Sequence, residues 1–254
     1  MYKHYLLYNN RIFQKMFGCV MMEITYTPLG DEAIVIEVGN EISKEATNHV
    51  RSITKRIEET LMDKIIEVIP AFTTVTVFYV VTEEFQYKDI KNIIEKTLVE
   101  MKDFNSKEQR TIEIPVCYGG EHGPDLEFVA KHNELSVEEV IAIHSSGTYE
   151  VNMIGFAPGF PFIDGMSEKI AAPRRTTPRL RIPERSVGIA GMQTGVYPIE
   201  TPGGWQLIGR TPLNLFLPEE DIPSLLQAGD RIIFKPISEE EYAEMEETIH
   251  AANS

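Results

Sequence analysis

Glycine and proline are concentrated between residues 155 and 211, and this limits the folds open to the chain. The segment contains GFAPGFPF, AAPRRTTPRLRIPERSVGIAG and QTGVYPIETPGGWQLIGRTP. Glycine permits positive φ and close backbone approach, whereas proline fixes φ, so turns recur every few residues and strands stay short. From Thr148 onward the pattern therefore favours a β-barrel or a sandwich over layers of helices.

The preceding residues have the regular periods of ordinary strands and helices. EITYTP and AIVIEV predict paired strands around a turn at Pro28–Asp31, and IIEVIP and TTVTVFYVV predict two more strands. Residues 87–101 have helical spacing. An earlier helix is predicted by apolar residues at steps of three or four: Ile42, Ala46, Val50, Ile53, Ile57 and Leu61. These elements predict a compact α/β unit.

Changes in composition predict the domain organisation. Residues 1–21 are expected to be an N-terminal extension, 22–103 a small α/β domain, 104–110 a polar linker, 111–238 a β-barrel domain and 239–254 an acidic C-terminal helix or tail. The expected fold class is α+β.

Two short helices are predicted near the start of the barrel domain, from DLEFVAKHN and SVEEVIAIHSS. Ser136 with Glu139 forms a capping-box pattern at the start of the second helix, and Gly147 is expected to end it.

Charge and cysteine content exclude several classes of protein. The formal charge of -15 and the pI of about 4.9 argue against nucleic-acid binding, and no apolar run is long enough for a transmembrane helix. Cys19 and Cys117 cannot form a disulfide framework, so a cytoplasmic location is expected. Polar residues interrupt the first twenty positions, which argues against a signal peptide and leaves Met21 or Met22 as a candidate start.

The Gly- and Pro-rich segment is also a basic island. Seven basic residues face four acidic ones there, a local charge of +3, so the rest of the chain carries -18. Arginine forks suit carboxylate or phosphate, and we expect a small anionic substrate to be drawn to this segment. The alternative is that the arginines pair with acidic residues or lie solvated in a loop.

Individual residues of the island are candidates for substrate binding. Pro173, Pro178 and Pro183 would hold the arginines on a stiff ribbon. Trp205 follows two glycines and could form a pocket wall or fill the barrel end, and Gln193 and Tyr197 could orient an amide or carboxylate. The candidates for substrate binding are Arg174, Arg175, Arg179, Arg181, Gln193, Tyr197, Trp205 and Arg210. Phe156, Phe160 and Phe162 are expected in the core or at a protein interface.

Familiar catalytic patterns are missing from the sequence. Neither G-x-x-x-x-G-K-[ST] nor G-x-G-x-x-G at a strand-to-helix turn is present, so ATP is not expected to be held by this chain alone. His122, His132 and His144 are candidate bases without an assignable nucleophile, Cys117 is expected to be a buried apolar residue, and no metal site is expected. No catalytic residue is identified.

The motifs VCYGGEHGPDLEFVA, GFAPGFPF, PRRTTPR and SVGIAGMQTGVYPIETPGGWQLIGRTP, in this order, resemble those of the KipI and allophanate hydrolase subunit 1 family over residues 23–236. The resemblance implies a small N-terminal α/β domain and a cyclophilin-like β-barrel of the carboxyltransferase subdomain C and D type. Met192 stands where the family pattern has glycine, and FIDGMSEKI replaces a leucine-rich loop; a methionine at position 192 would narrow a ligand pocket.

The same resemblance implies three possible functions. Members serve as the B subunit of 5-oxoprolinase, which with the A and C subunits opens 5-oxo-L-proline to L-glutamate at the expense of ATP; this is the leading expectation, with no tightly bound cofactor. Other members inhibit a sensor histidine kinase, for which the phenylalanine-rich loop would be the interface. Related modules occur in allophanate hydrolase and urea amidolyase. Prolyl isomerase activity would rest on fold analogy alone.

Overall fold

A computed structural model describes residues 14–17, 20–99 and 109–252. The chain divides into two compact units, with the division after Glu108. Of the predicted linker at 104–110, only Gln109 and Arg110 are among the described residues, and both are exposed. Most of the predicted extension at 1–21 also lies outside the described residues, but its residues 14–17 and 20–21 belong to strands.

The N-terminal unit is built on an antiparallel sheet of five strands in the order β1-β2-β3-β5-β4. The strands are β1 (Gln14–Phe17), β2 (Val20–Leu29), β3 (Ala33–Val38), β4 (Ile65–Pro70) and β5 (Thr74–Tyr79). The alternating residues of β5 are buried in turn, as expected for a sheet with one covered face. The predicted pairing of the first two sequence motifs is confirmed, with Ile24 opposite Val38.

Two helices cover this sheet: α1 (Lys44–Leu61) and α2 (Tyr87–Val99). Ser43 begins α1, because its hydroxyl accepts a hydrogen bond from the Ala46 amide at 3.1 Å. The predicted apolar stripe of α1 is buried from Ala46 to Leu61, but Ile42 precedes the helix and is exposed, so its inclusion was wrong. The helix predicted at 87–101 has its last two positions outside the described residues.

The second unit contains a closed barrel of seven strands, which confirms the predicted barrel and excludes the sandwich. Its strands are β6 (Thr111–Tyr118), β7 (Tyr149–Ile154), β8 (Pro161–Asp164), β10 (Ser186–Ala190), β11 (Gln193–Val196), β13 (Gln206–Arg210) and β14 (Arg231–Ile237); β9 (Arg179–Ile182) and β12 (Thr201–Gly203) form a separate two-stranded sheet. The barrel order is β10-β11-β8-β7-β14-β6-β13, and β13 pairs with β10.

The barrel contains one parallel pair, β6 with β14, in which Thr111 lies opposite Arg231. Arg110 strengthens this junction, since its Nε donates to an Asp230 carboxylate oxygen at 2.8 Å. Every other strand pair of the barrel is antiparallel.

Three helices accompany the barrel: α3 (Leu126–His132), α4 (Val137–Ser146) and α5 (Glu239–Ala252). The predicted capping box of α4 is confirmed, because the Ser136 and Glu139 side chains each accept a hydrogen bond from the other residue's amide. Gly147 follows the helix as predicted, in an extended rather than a left-handed conformation. The acidic α5 begins within the predicted C-terminal segment. No helix in the described part of the chain is long and apolar enough to span a membrane.

Candidate functional site

The loop before α3 places the carboxylate of Asp125 against strand β13. Asp125 and Leu207 exchange two hydrogen bonds: the Asp125 amide donates to the Leu207 carbonyl at 2.9 Å, and the Leu207 amide donates to Asp125 Oδ2 at 2.7 Å. Gly123 makes this approach possible, since a Cβ at that position would lie 2.1 Å from the Ile208 carbonyl oxygen. The GGEHGPD motif therefore fixes Asp125 on the barrel wall.

Asp125 is 6% exposed, and it binds two of the predicted arginines. Arg179 makes a two-pronged contact, with Nη2 at 2.9 Å from Oδ1 and Nη1 at 2.9 Å from Oδ2. Arg175 Nη1 donates to Oδ1 at 3.0 Å. With the Leu207 amide, these donors fill the acceptor positions of the carboxylate. We call Asp125, Arg175, Arg179 and Leu207 the Asp125 cluster.

Arg174 is next to this cluster in sequence, but its side chain is differently placed. It is exposed and makes no hydrogen bond or ion pair with any residue that the structure describes. It lies beside the glycine pair before Trp205, because a Cβ on Gly204 would be 3.9 Å from the Arg174 Cβ and 3.7 Å from the Arg175 carbonyl oxygen. Arg174 is therefore a cation whose donors are uncommitted within the described residues.

Rings from three segments form an aromatic cluster next to the arginines. The ring centroids of Phe160, Tyr197 and Trp205 lie 5.5 to 6.0 Å apart, each pair edge to face. The cluster is joined to the Asp125 cluster at Trp205, whose carbonyl oxygen accepts from Arg179 Nη1 at 3.4 Å. Burial raises the pKa of Tyr197 to about 12, against the lowering effect of the Arg174 and Arg179 charges. Its hydroxyl is therefore protonated at neutral pH.

The three phenylalanines predicted at the core or an interface have different environments. Phe160 is 3% exposed and belongs to the core, and Phe162 is half-buried against it. Phe156 is 70% exposed with a φ of 70°, and the Ala157 amide donates to the Gly155 carbonyl across it, which is the hydrogen bond of a γ-turn. Of these three phenylalanines, only Phe156 exposes most of its ring, and their role as an interface stays a prediction.

Three of the predicted binding residues lie apart from the Asp125 cluster. The Arg181 side chain is 80% exposed, and its Nε is 3.6 Å from Glu200. Gln193 is exposed at the hairpin between β10 and β11. Arg210 ends β13, about 16 Å along the strand from Trp205, and its Nε donates to the Glu184 carbonyl at 3.0 Å. The structure thus brings together Arg174, Arg175, Arg179, Tyr197 and Trp205.

A second arginine group lies at this far end. Arg185 is buried with a φ of 68°, and its Nη2 donates to Glu246 of α5 at 2.8 Å. Burial raises the pKa of the nearby Tyr242 of α5, against the lowering effect of the Arg210 and Arg185 charges. We call Arg185, Arg210, Tyr242 and Glu246 the Arg185 cluster. It attaches α5 to the barrel.

His144, one of the candidate bases, is a buried structural residue. Its ring is sealed from solvent, with Nδ1 2.7 Å from the Tyr118 hydroxyl and Nε2 2.9 Å from the Thr194 hydroxyl. Thr194 donates to the Gly188 carbonyl, so it accepts from Nε2, and Tyr118 donates to Nδ1. Burial lowers the pKa of His144 to about 3. A neutral imidazole with both nitrogens occupied cannot serve as a general base.

Two further expectations concern Cys117 and metal ligands. Cys117 is buried as expected, and burial raises the pKa of its thiol. Among the residues that the structure describes, no three His, Cys, Asp or Glu side chains are grouped as metal ligands.

Sequence reasoning missed Asp125 as part of the site. It recognised DLEFVAKHN as a helix, and the surrounding GGEHGPD motif was the available signal. The Asp125 and aromatic clusters together supply positive charge, a neutral hydroxyl donor and ring surface. Such a set can bind and orient an anion but supplies no assigned nucleophile or base.

Comparison with known proteins gives a consistent result. Residues 24–226 match the family described as carboxyltransferase domain, subdomain C and D. The chain is 53% identical over 223 residues to the 5-oxoprolinase B subunit of Bacillus subtilis (strain 168), covering 84% of this chain and 93% of that protein. It is 41% identical over 211 residues to the 5-oxoprolinase B subunit of Escherichia coli O157:H7, covering 83% of this chain and 95% of that protein.

Two solved structures are also similar to the chain. The conserved uncharacterized protein PH0987 from Pyrococcus horikoshii is 45% identical, with a TM-score of 0.51 over 85% of this chain and 99% of that chain. The protein TTHA0988 is 29% identical, with a TM-score of 0.71 over 82% of this chain and 40% of that chain. Both similarities extend across most of the sequence.

Proposed function

The chain belongs to the carboxyltransferase domain, subdomain C and D, family, and we propose that it acts as the B subunit of an ATP-dependent 5-oxoprolinase. The observation that carries this proposal is the similarity to two bacterial 5-oxoprolinase B subunits, which extends over more than nine-tenths of each relative. The chain would work with partners of the A and C types to open 5-oxo-L-proline to L-glutamate.

The site geometry supports a binding role within that reaction. A lactam resists direct hydrolysis, and phosphorylation of its carbonyl oxygen by ATP would activate the carbon toward water. Arginines can offset the negative charge that develops in such a step. Arg174 and the Asp125 cluster provide that charge beside the rings of Tyr197 and Trp205. ATP is used by the assembled complex in this proposal, and we assign no ATP site to this chain.

The environments of His144 and Cys117 support a site shared with a partner subunit. His144 is buried with both ring nitrogens occupied, and Cys117 is buried with its thiol protonated. We propose that this chain contributes substrate-orienting groups, while a partner subunit supplies the groups that handle ATP and water.

Reconstitution tests the proposal. The three purified subunits are mixed, and ADP release is measured with and without 5-oxo-L-proline, with each subunit omitted in turn as the control. We expect ADP and glutamate to form in equal amounts only when all three subunits and the lactam are present. An assembly in which 5-oxo-L-proline does not stimulate ADP release, or in which this chain can be omitted without loss, would refute the proposed function.

A further inference from the structure

We propose that Arg174 and the hydroxyl of Tyr197 form a carboxylate-binding subsite beside the ring of Trp205. The inference rests on the proposed function, and it identifies which part of a substrate this chain holds. A small cyclic acid would place its carboxylate between the guanidinium and the hydroxyl, and its ring against the indole.

The first argument is the difference in how the arginines are occupied. Nη1 of Arg175 and both Nη atoms of Arg179 contact Asp125, whose acceptor positions they fill with the Leu207 amide. Arg174 has no such partner in the described part of the chain and is exposed. Two arginines against one carboxylate also leave the neighbourhood positive, which attracts an anion to Arg174.

The second argument comes from Tyr197. Its side chain is 2% exposed, yet among the described residues no group forms a hydrogen bond with its hydroxyl. The hydroxyl oxygen is not among the fully buried side-chain atoms that lack a partner, so it is open to an added acceptor that no described residue supplies. At neutral pH this hydroxyl is a donor, because its pKa is raised by burial. A carboxylate is an acceptor that can bind a guanidinium and a hydroxyl at the same time.

The third argument is that two consecutive glycines connect these donors. A Cβ on Gly203 would lie 2.9 Å from the Tyr197 hydroxyl oxygen and 2.7 Å from Ile182 Cδ1. The next residue, Gly204, passes beside Arg174. A side chain at position 203 would therefore displace the hydroxyl or Ile182, whereas glycine lets both pack against the backbone. Trp205 follows directly, half-buried, with its ring centroid 6.0 Å from that of Tyr197.

The decisive experiment compares two ligands and three variants. 5-Oxo-L-proline and 2-pyrrolidinone share the lactam ring, but only the first has a carboxylate. In the assembled complex we expect Arg174→Ala to raise KM for 5-oxo-L-proline about tenfold or more, and Tyr197→Phe to raise it about fivefold, with smaller changes in kcat. Arg231→Ala removes the same charge from an exposed position on β14 and should leave KM unchanged.

A second readout uses this chain alone. Trp205 is its only tryptophan, so its fluorescence reports directly on the subsite. We expect a saturable change with 5-oxo-L-proline, none with 2-pyrrolidinone, and loss of the change in Arg174→Ala and Tyr197→Phe.

The outcomes separate the two proposals. A wild-type complex that does not hydrolyse ATP in response to 5-oxo-L-proline refutes the proposed function, and the fluorescence titration then decides the subsite by itself. An active wild-type complex in which Arg174→Ala has a KM within about twofold of normal overturns the subsite and leaves the proposed function standing. With an inactive complex, a wild-type chain whose fluorescence does not respond, or responds equally to both ligands, overturns the subsite.

Discussion

The Asp125 cluster and the Arg185 cluster come from the same basic segment, yet they are built in opposite ways. In the first, a buried carboxylate on the barrel wall holds two half-exposed arginines, and Arg174 beside them is uncommitted. In the second, the arginine itself is buried, and its carboxylate partner Glu246 comes from α5. One arrangement leaves a cation facing solvent, and the other uses a cation to attach a helix.

The difference shows that a local excess of basic residues does not by itself locate a binding site. The +3 segment contains both clusters, and its sequence does not distinguish them. What distinguishes them is where the compensating acid comes from. Asp125 lies upstream of the segment and Glu246 lies downstream, so each pairing is decided by the tertiary fold.

The largest expected effect comes from blocking the close backbone approach at Gly123, which holds Asp125 against strand β13. Gly123→Ala would place a methyl group 2.1 Å from the Ile208 carbonyl oxygen, so we expect the barrel unit to lose more than about 4 kcal/mol of unfolding free energy or to fail to fold. Urea unfolding followed by Trp205 fluorescence measures it. Gly191→Ala, where a Cβ meets nothing within 4 Å, is the control, with an expected loss of about 1 kcal/mol for its positive φ. Equal losses in both variants would contradict the close-approach explanation.

Neutralising the acids of the two clusters compares them directly. Asp125→Asn leaves two arginines and a backbone amide without their carboxylate, and we expect a loss of about 3 kcal/mol. Glu246→Gln should cost only about 1 kcal/mol, because the Glu246 side chain is partly hydrated and glutamine can still accept from Arg185. Paired urea titrations give both values. If Glu246→Gln were the more damaging change, the assignment of Asp125 as the main organising acid would be wrong.

Two substitutions of Arg185 separate the cost of its strained backbone from the contribution of its ion pair with Glu246. Arg185→Ala removes the ion pair but keeps a side chain at φ 68°, and we expect it to cost about 2 kcal/mol. Arg185→Gly removes the same pair and relieves the backbone, so it should be about 1 kcal/mol more stable than the alanine variant. Thermal unfolding of the two variants measures the difference. A glycine variant that is no more stable than alanine would mean that the backbone there is not strained.

The smallest effect is expected for an arginine that belongs to neither cluster. Arg181→Ala removes an exposed ion pair with Glu200, which is worth no more than about 0.5 kcal/mol in such surroundings. Its urea midpoint should match that of the unaltered protein. A change as large as that of Asp125→Asn would place Arg181 inside the organised site and remove the contrast between the clusters.

Local periods predicted strands β3 to β5 and both helices of the N-terminal unit, but strand β1 and the start of β2 lie in the segment that was predicted to be an extension. The predicted apolar residues of α1 from Ala46 to Leu61 are all buried, as helical spacing against one sheet face requires, whereas the buried Thr47 and Thr54 were not predicted. The inclusion of Ile42 in the helix was wrong because the helix begins after it, at the Ser43 cap. Periodicity cannot detect a cap that removes one apolar residue from an otherwise regular stripe.

The candidate site was only partly predictable for a related reason. Asp125 stands at the N-cap of α3, where an acidic residue is ordinary, yet it makes no side-chain capping bond because its oxygens are taken by the arginines and Leu207. Only the folded structure shows that the arginines and Leu207, and not the helix amides, bind the Asp125 oxygens. The sequence did suggest Arg174, Tyr197 and Trp205, since glycine, proline and arginine are dense around them, but it could not separate them from Arg181, Gln193 and Arg210.

The closure of the barrel also constrains how the chain can be made. Among the residues that the structure describes, strand β6 pairs with β13 and β14 alone, and these strands follow it by roughly ninety residues or more in the sequence. During synthesis from the N-terminus, β6 therefore leaves the ribosome with both edges bare, while the strands of the N-terminal unit already have their neighbours. The barrel can be completed only after Ile237 has emerged, so translation speed across residues 120–237 sets how long an aggregation-prone edge is exposed in the cell.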